Sequence, residues 1–383
     1  MTGTPYKVLL TTAAFEPGHR AGGPIKSVAR IIDTAGSHVT IKTLTSDRDM
    51  GSAEPYPGLS GRWASRGSSA VYYLDTGKPG QWRSVIRSLR HDPFDLLYCN
   101  SLWQPHFSVL PIIAGYIGFI PVRRILVAPR GELSPGALQL KRRKKSLFLC
   151  VWRPLLASKR VIWHASTEME AADIRAIWPT ASIEVVEDQT DLPVDPVLPE
   201  RGRDGAPLSV VFISRISPKK NLLLALEGLA LCNARVDFSI YGPIEDEAYW
   251  SRCRKAIDRL PRSVQVSYRG TLDPEQVRAT FAEHDLFIFP TMGENFGHVI
   301  AESLSASCAV LCSDQTPWTP VLAAGGGVAL HAPTATSVAE IVREIADLTP
   351  EHRHAMRIRA GEAYRMWRRQ TSDENILDRM SAR

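Results

Sequence analysis

Glu294 and Glu302 stand eight residues apart, with Asn295, Phe296, Gly297 and His298 between them, just after a short apolar run at 286–289. A helix beginning near Gly297 turns uncapped backbone N–H groups toward an anion. Glu294, in the loop before that helix, can accept hydrogen bonds from ligand hydroxyls. Glu302, about one turn inside it, can hold a vicinal diol such as a ribose from below. On an open surface Glu302 would be unremarked. Its flanks Val299, Ile300, Ala301 and Leu304 are apolar, however, and a carboxylate among them needs a partner.

Two cations lie upstream. Arg215 and Lys220 are five residues apart where a strand ends near residue 214 and a helix begins near 219. Across such a turn they can grip a diphosphate, the arginine as a fork and the lysine as a point charge. The competing reading is a helix cap with exposed cations. Near the amino terminus, Gly22-Gly23-Pro24 follows the first strand and opens a helix. Glycines allow close backbone approach and proline suits a first helical turn, so this is either a phosphate loop or a tight structural turn. Asp47-Arg48-Asp49 superficially resembles a metal-binding acidic pair and reads instead as a loop after a strand.

The elements that must position these residues alternate along the chain. Strands read over 7–12, 39–44, 70–74, 95–99, 124–128 and 161–164, with helices over 24–35, 81–89, 137–150 and 167–177. The pattern restarts with strands at 208–214, 236–241, 264–268, 286–289 and 309–313, separated by helices at 221–232, 248–260, 274–282 and 298–306. This calls for parallel sheets covered on both faces. Residues 187–207 hold four prolines, two glycines and six acids without apolar periodicity, which reads as a linker. The expected organisation is an α/β chain of two Rossmann-like, doubly wound domains facing each other across a cleft. They are 1–190 and 207–360, with a hinge at 191–206 and a helix at 361–383 that can cross back to the first domain. Ligands would sit beyond the carboxyl ends of the strands.

Composition narrows the class. With 44% hydrophobic and 22% charged residues the chain is an ordinary globular protein, which excludes disorder. Six scattered cysteines exclude a disulfide scaffold, and none has zinc-ligand spacing. No apolar run reaches the roughly 18–20 residues of a bilayer span, so the expected location is cytoplasmic. The net charge of +6 is unevenly placed: residues 1–200 carry 24 basic and 18 acidic residues, and the remainder 22 of each. Residues 121–160 hold 11 Lys or Arg against the single acid Glu132, with a basic run at 141–145. Such a cluster suits nucleic acid, an anionic membrane or a phosphorylated substrate, or is a solvated helix face.

The Glu294…Glu302 spacing with Phe296-Gly297 between resembles the motif of the retaining GT-B nucleotide-sugar glycosyltransferases, family 4. Arg215 and Lys220 match that family's diphosphate pair in order and distance, and Gly22-Gly23-Pro24 matches its glycine loop. The resemblance spans nearly the whole chain and is strongest over 208–331. It implies transfer of a sugar from a uridine- or guanosine-diphosphate sugar to a saccharide or lipid-linked acceptor, in polysaccharide or glycoconjugate assembly. Arg215, Lys220 and Glu294 would act in catalysis. Gly22, Gly23, Asn295, Phe296, Gly297, His298 and Glu302 would complete the donor site. Retention by front-face attack is implied, with no covalent residue and neither metal nor other cofactor required.

Many relatives carry a histidine facing the acceptor in a loop of the first domain. Here those loops hold His106, Arg130 and Glu132, which become the acceptor candidates, with an Arg–Glu brace as the alternative for the last two. The basic run at 141–145 would touch an anionic membrane surface, placing the enzyme on the inner face of the membrane. The competing functions are a GT-B epimerase, a phosphorylase, for which no pyridoxal lysine has a supporting context, and a nucleic-acid-binding protein, which lacks an aromatic stacking array. Nucleic acid is not an expected partner.

Overall fold

A computed structural model describes residues 4–139, 142–200 and 205–383. These form two units: the first runs to Thr190 and takes in Ser372–Arg383, and the second is Asp191–Thr371.

The first unit is built on eight strands: β1 (Tyr6–Thr12), β2 (Val39–Ser46), β3 (Trp63–Arg66), β4 (Ser69–Leu74), β5 (Phe94–Asn100), β6 (Val122–Ala128), β7 (Val161–Ala165) and β8 (Ser182–Val185). Their order is β3-β4-β2-β1-β5-β6-β7-β8. Every pairing is parallel except the β3–β4 hairpin. A parallel sheet needs cover on both faces, and β5 shows how the sequence supplies it. Leu96 and Tyr98 enter one core while Leu97 and Cys99 enter the other. The helices are α1 (Gly23–Thr34), α2 (Pro79–Arg90), α3 (Leu110–Tyr116), α4 (Pro135–Gln139), α5 (Arg142–Leu156) and α6 (Glu168–Ile177). Val28, Ile31 and Ile32 of α1 cover the first face, and α2, α3, α5 and α6 share the second.

The second unit has β9 (Leu208–Ile213), β10 (Val236–Tyr241), β11 (Val264–Tyr268), β12 (Leu286–Phe289), β13 (Ala309–Ser313) and β14 (Gly327–Leu330). They run parallel in the order β11-β10-β9-β12-β13-β14. Its helices are α7 (Leu222–Ala230), α8 (Glu247–Ile257), α9 (Pro274–Ala282), α10 (His298–Ser305), the short α11 (Thr319–Val321), α12 (Ala335–Ala346) and α13 (Pro350–Gln370). The strand order reverses between β9 and β12. That point opens a crevice at the carboxyl ends of an α/β sheet, and the loops after these two strands carry Arg215, Lys220 and Glu294.

Two expectations about the connections change. The proline-rich stretch is not a free linker as far as Glu200. Val197 exchanges hydrogen bonds with the Ser305 carbonyl and the Ser307 hydroxyl, and the Pro193 carbonyl accepts from Tyr364. Prolines removed donors, but the remaining backbone groups found partners in the second unit. Nor does one helix run from 361 to the end. It stops at Gln370, and a separate α14 (Ile376–Ser381) buries Ile376, Leu377 and Met380 against α1.

Candidate functional site

In the second unit, β9 ends at Ile213 and the chain turns through a 3₁₀ segment, Pro218–Lys220, before α7. Lys220 points inward, only 10% exposed, and its ammonium meets Glu294 Oε1 at 2.7 Å. It also lies 5.3 Å from the centre of the Phe289 ring. Glu294 accepts a second hydrogen bond, 2.9 Å from the Thr291 hydroxyl. The two loops are stitched along the backbone as well, by Met292 N–H donating to the Lys219 carbonyl at 2.8 Å, and Glu294 N–H ties the second of them to the Gln315 carbonyl after β13 at 3.0 Å. Lys220 after β9 and Glu294 after β12 therefore meet in one place.

Burial draws the Lys220 ammonium below its ordinary value, with Glu294 opposing that shift. Burial would push the Glu294 carboxyl up, but Lys220 beside it, Lys219 and the two hydrogen bonds hold it below the usual carboxylate range. The Glu294 carboxylate is therefore ionised near neutrality. Arg215, half-buried, instead pairs with Glu245 in the loop after β10, at 2.8 Å. Each candidate phosphate-gripping cation thus has a carboxylate partner, one buried and one at the surface.

Gly297 takes a left-handed φ of 83° where the chain enters α10, and a Cβ there would lie 3.3 Å from Trp318 Nε1. The indole is close because it donates to the Phe296 carbonyl at 2.5 Å. Trp318 is buried and packs against Phe296 and Trp367 of α13. His298 stacks obliquely on the Phe296 ring, 4.6 Å between centres. No side chain caps α10, and Glu302 is buried on its first turns. Trp318 escaped the sequence reading. It lies 22 residues from Phe296, and only the bulky residue in a Pro-Trp-Thr-Pro turn hinted at an anchor.

In the first unit, Gly22 caps α1 at φ 68° with open space where a Cβ would go, and Gly23 begins the helix. The preceding turn is held by Asp49, whose Oδ2 accepts from the backbone of His19 and Arg20 at 3.0 and 3.3 Å. Asp47 is buried and accepts from Arg48 and Ser60. The acidic pair therefore shapes a loop. Among the described residues no group of three or more His, Cys, Asp or Glu is arranged to hold a metal ion.

Arg130 and Glu132, the acceptor candidates, each have buried partners within the first unit. Arg130, 8% exposed, donates to Asn100 at 2.7 Å, Asp188 at 2.5 Å and the Tyr98 hydroxyl at 2.8 Å. Tyr98 in turn meets His164 Nδ1 at 2.7 Å. Burial first, then Arg130, presses the His164 pKa down to about 3. Its ring is neutral, so Nε2 donates to the Val186 carbonyl while Nδ1 accepts from Tyr98. Glu132 accepts from the Ser101 hydroxyl and Leu102 N–H at 2.8 and 2.6 Å, and burial pushes its carboxyl up to about 7. His106, half-buried beside Trp82, keeps a partly open ring. Of the basic run, Lys141 lies outside the described residues. Lys145 turns inward to the Ala137 carbonyl at 2.6 Å and the Trp103 ring, so it is not an outward charge.

Residues 198–363 match the family model described as glycosyl transferases group 1. The O-antigen chain mannosyltransferase B of Escherichia coli is 27% identical over 125 residues, which is 31% of this chain and about a third (32%) of that protein. Among solved structures, Anabaena Alr3699/HepE in complex with UDP and glucose aligns over 98% of both chains, with a TM-score of 0.69 at 15% identity. Sucrose-phosphate synthase from Thermosynechococcus elongatus aligns over 95% of this chain and 94% of its own, with a TM-score of 0.68 at 13% identity. WaaG, a glycosyltransferase involved in lipopolysaccharide biosynthesis, covers 98% of each at a TM-score of 0.63 and 14% identity. At these identities the likeness is one of fold. The chain has the two-domain α/β fold of GT-B glycosyltransferases, and its residues 198–363 match the group 1 glycosyl transferase model.

Proposed function

We propose that this chain is a retaining glycosyltransferase of family 4, moving a sugar from a uridine- or guanosine-diphosphate sugar to a hydroxyl of a saccharide or lipid-linked acceptor in polysaccharide assembly. The observation that carries the reading is the buried Lys220–Glu294 pair at the switch point, with Arg215 in the same loop. A lysine held beside a carboxylate in a buried loop at the carboxyl ends of parallel strands is suited to a diphosphate. Glu294, already in place as an acceptor of hydrogen bonds, is suited to sugar hydroxyls.

In the reaction so read, the bond between the anomeric carbon and the phosphate oxygen breaks while the acceptor oxygen bonds to that carbon on the same face. The acceptor proton passes to the departing phosphate oxygen. Arg215 and Lys220 stabilise the negative charge gathering on the leaving diphosphate. The uncapped start of α10 adds backbone N–H groups, Glu302 holds the ribose, and Asn295 to His298 shape the sugar pocket. Because two side-chain cations supply the positive charge, turnover is expected to survive a chelator.

The deciding experiment is a donor screen, with nucleotide release measured across uridine, guanosine and adenosine diphosphate sugars. The anomeric configuration of the product is read by NMR. Release from none of these donors, and no thermal stabilisation by any nucleoside diphosphate, would overturn the reading; an inverted product would overturn retention alone.

Two variants test the positions of single groups. Glu302→Ala should raise the donor KM about 10-fold through a lost charged hydrogen bond pair, leaving acceptor KM alone. Unchanged donor kinetics would remove Glu302 from the ribose site. Trp318→Phe keeps an aromatic ring but loses the pyrrole part of the indole and with it the N–H that fixes the Phe296 carbonyl. The cost of about 1–3 kcal/mol for an unsatisfied buried carbonyl should appear mainly as donor-site disorder, lowering kcat/KM for the donor about 5–50-fold. Equal loss with every acceptor and retained affinity for acceptor would mark a positioning residue; a lowered melting temperature with intact donor kinetics would mark a merely structural one.

A further inference from the structure

We propose that the first unit docks on an anionic lipid bilayer through the outer face formed by α2, α3 and α5. These helices cover the same side of the first sheet, with Leu89, Ile112 and Trp152 in one core. They are also tied to each other. The Tyr116 hydroxyl at the end of α3 donates to the Leu155 carbonyl of α5 at 2.7 Å, and the Arg90 guanidinium of α2 lies 5.5 Å from the centre of the Phe119 ring just after α3.

Their outward sides are apolar where a soluble helix should be polar. On α3 the exposed side chains are Leu110 and Ile113, continued by Ile117 at 72% exposure and by Phe119. The spacing of three and four makes these one stripe, while Pro111, Ile112 and Gly115 take the buried side. On α5, Leu147 and Val151 stand out at 71% and 67%, four residues apart, opposite Trp152 and Leu156. Single exposed leucines are ordinary; two adjacent helices each presenting such a stripe are not.

The charge carried by these three helices has one sign. None of the three helices contains an Asp or Glu. Arg83, Arg87 and Arg90 line the exposed side of α2, and Arg143, Lys144 and Arg153 that of α5. Glu132, the one acid of residues 121–160, is turned into the loop at Ser101 and does not offset them. An apolar centre with a basic rim fits the boundary of an anionic bilayer, where apolar side chains enter the acyl region and arginines meet lipid phosphates. A second copy of the same face would bring arginines against arginines, which disfavours self-association. No described helix is long and apolar enough to cross a membrane, so the contact is a surface one.

The test is binding and needs no sugar, so it stands or falls apart from the transferase reading. Co-sedimentation with vesicles of phosphatidylglycerol and phosphatidylcholine, against phosphatidylcholine alone, should show at least about tenfold preference for the anionic vesicles, weakened by salt. Leu147→Ser with Val151→Ser, both exposed and harmless to folding, should weaken binding about fivefold or more, and Arg87→Gln with Lys144→Gln should do the same. Turnover on a water-soluble acceptor should be unchanged in both. The proposal is overturned if the unmodified chain ignores anionic vesicles, if the apolar variant binds as well as the unmodified chain, or if light scattering shows a dimer that the Leu147–Val151 variant dissociates.

Discussion

Lys220→Met lowers kcat/KM for the nucleotide sugar by about 10²–10³-fold, the usual consequence of removing one preorganised group facing a developing anion. The same variant loses most of its affinity for the free nucleoside diphosphate, measured by calorimetry. Glu294→Gln separates the roles of the pair. The amide can still accept from Thr291, but it no longer neutralises Lys220, whose ammonium is then entirely available to phosphate. Nucleoside diphosphate affinity should hold or rise a few-fold, while kcat falls at least tenfold because the carboxylate no longer orders the sugar hydroxyls. If both variants lose nucleotide affinity equally, Glu294 only supports the loop. If Lys220→Met binds nucleotide normally, the diphosphate lies elsewhere.

The pair also has a pH signature with a definite sign. In the unmodified chain Glu294 titrates below its ordinary value, so its contribution to stability is complete above the unfolded carboxylate range and disappears as the pH falls through the lowered folded value. In Lys220→Met the principal lowering influence is gone and burial prevails. The carboxylate is then strained at neutral pH and relieved by protonation. The gap in melting temperature between the two proteins is therefore widest near pH 7 and closes on acidification below about pH 4, near the ordinary Glu value. A gap independent of pH would mean that Lys220 stabilises through packing of its stem on Phe289 rather than through charge.

What could be read from the sequence follows the range of the interactions involved. Alternating apolar runs identified two parallel α/β units, because both faces of a strand such as β5 must be buried. Short or weakly apolar edge strands, β3, β8 and β14, carried no such signal. Gly297, Glu294 and the Arg215–Lys220 turn were legible because local spacing sets their chemistry. The surroundings of Arg130 and Glu132 were not legible, for the opposite reason. Their partners Asp188 and Ser101 lie 58 and 31 residues away, and no local pattern says whether a charge at a strand end looks outward or back into the loops. Trp318 and Glu245 were missed likewise: each acts on the site across 22 or more residues. The basic run at 141–145 was visible as composition, whereas the apolar stripes beside it needed knowledge of which helix faces stay uncovered.

Arg130→Met then has the largest expected effect on stability. The change leaves the Asp188 carboxylate, 4% exposed, without its cation, and breaking a buried pair this way costs about 3–5 kcal/mol. In a unit of this size that is a fall in melting temperature of roughly 6–20 °C. Arg130→Lys should recover only part of it, because one ammonium cannot reach Asn100, Asp188 and Tyr98 as the planar fork does. Arg130→Met with Asp188→Asn should recover more, since no bare charge remains. The network matters for function through its far end. Asp188 also accepts from Ser27 of α1 at 3.0 Å, four residues after Gly23, so the arginine helps to fix the start of the helix that the glycine turn opens. His164 is neutral across the working range, so none of this varies between pH 6 and 8 by way of that ring. Thermal unfolding of the three variants decides the point. A melting temperature within 2 °C of the unmodified chain, with a raised acceptor KM, would place Arg130 in an acceptor pocket.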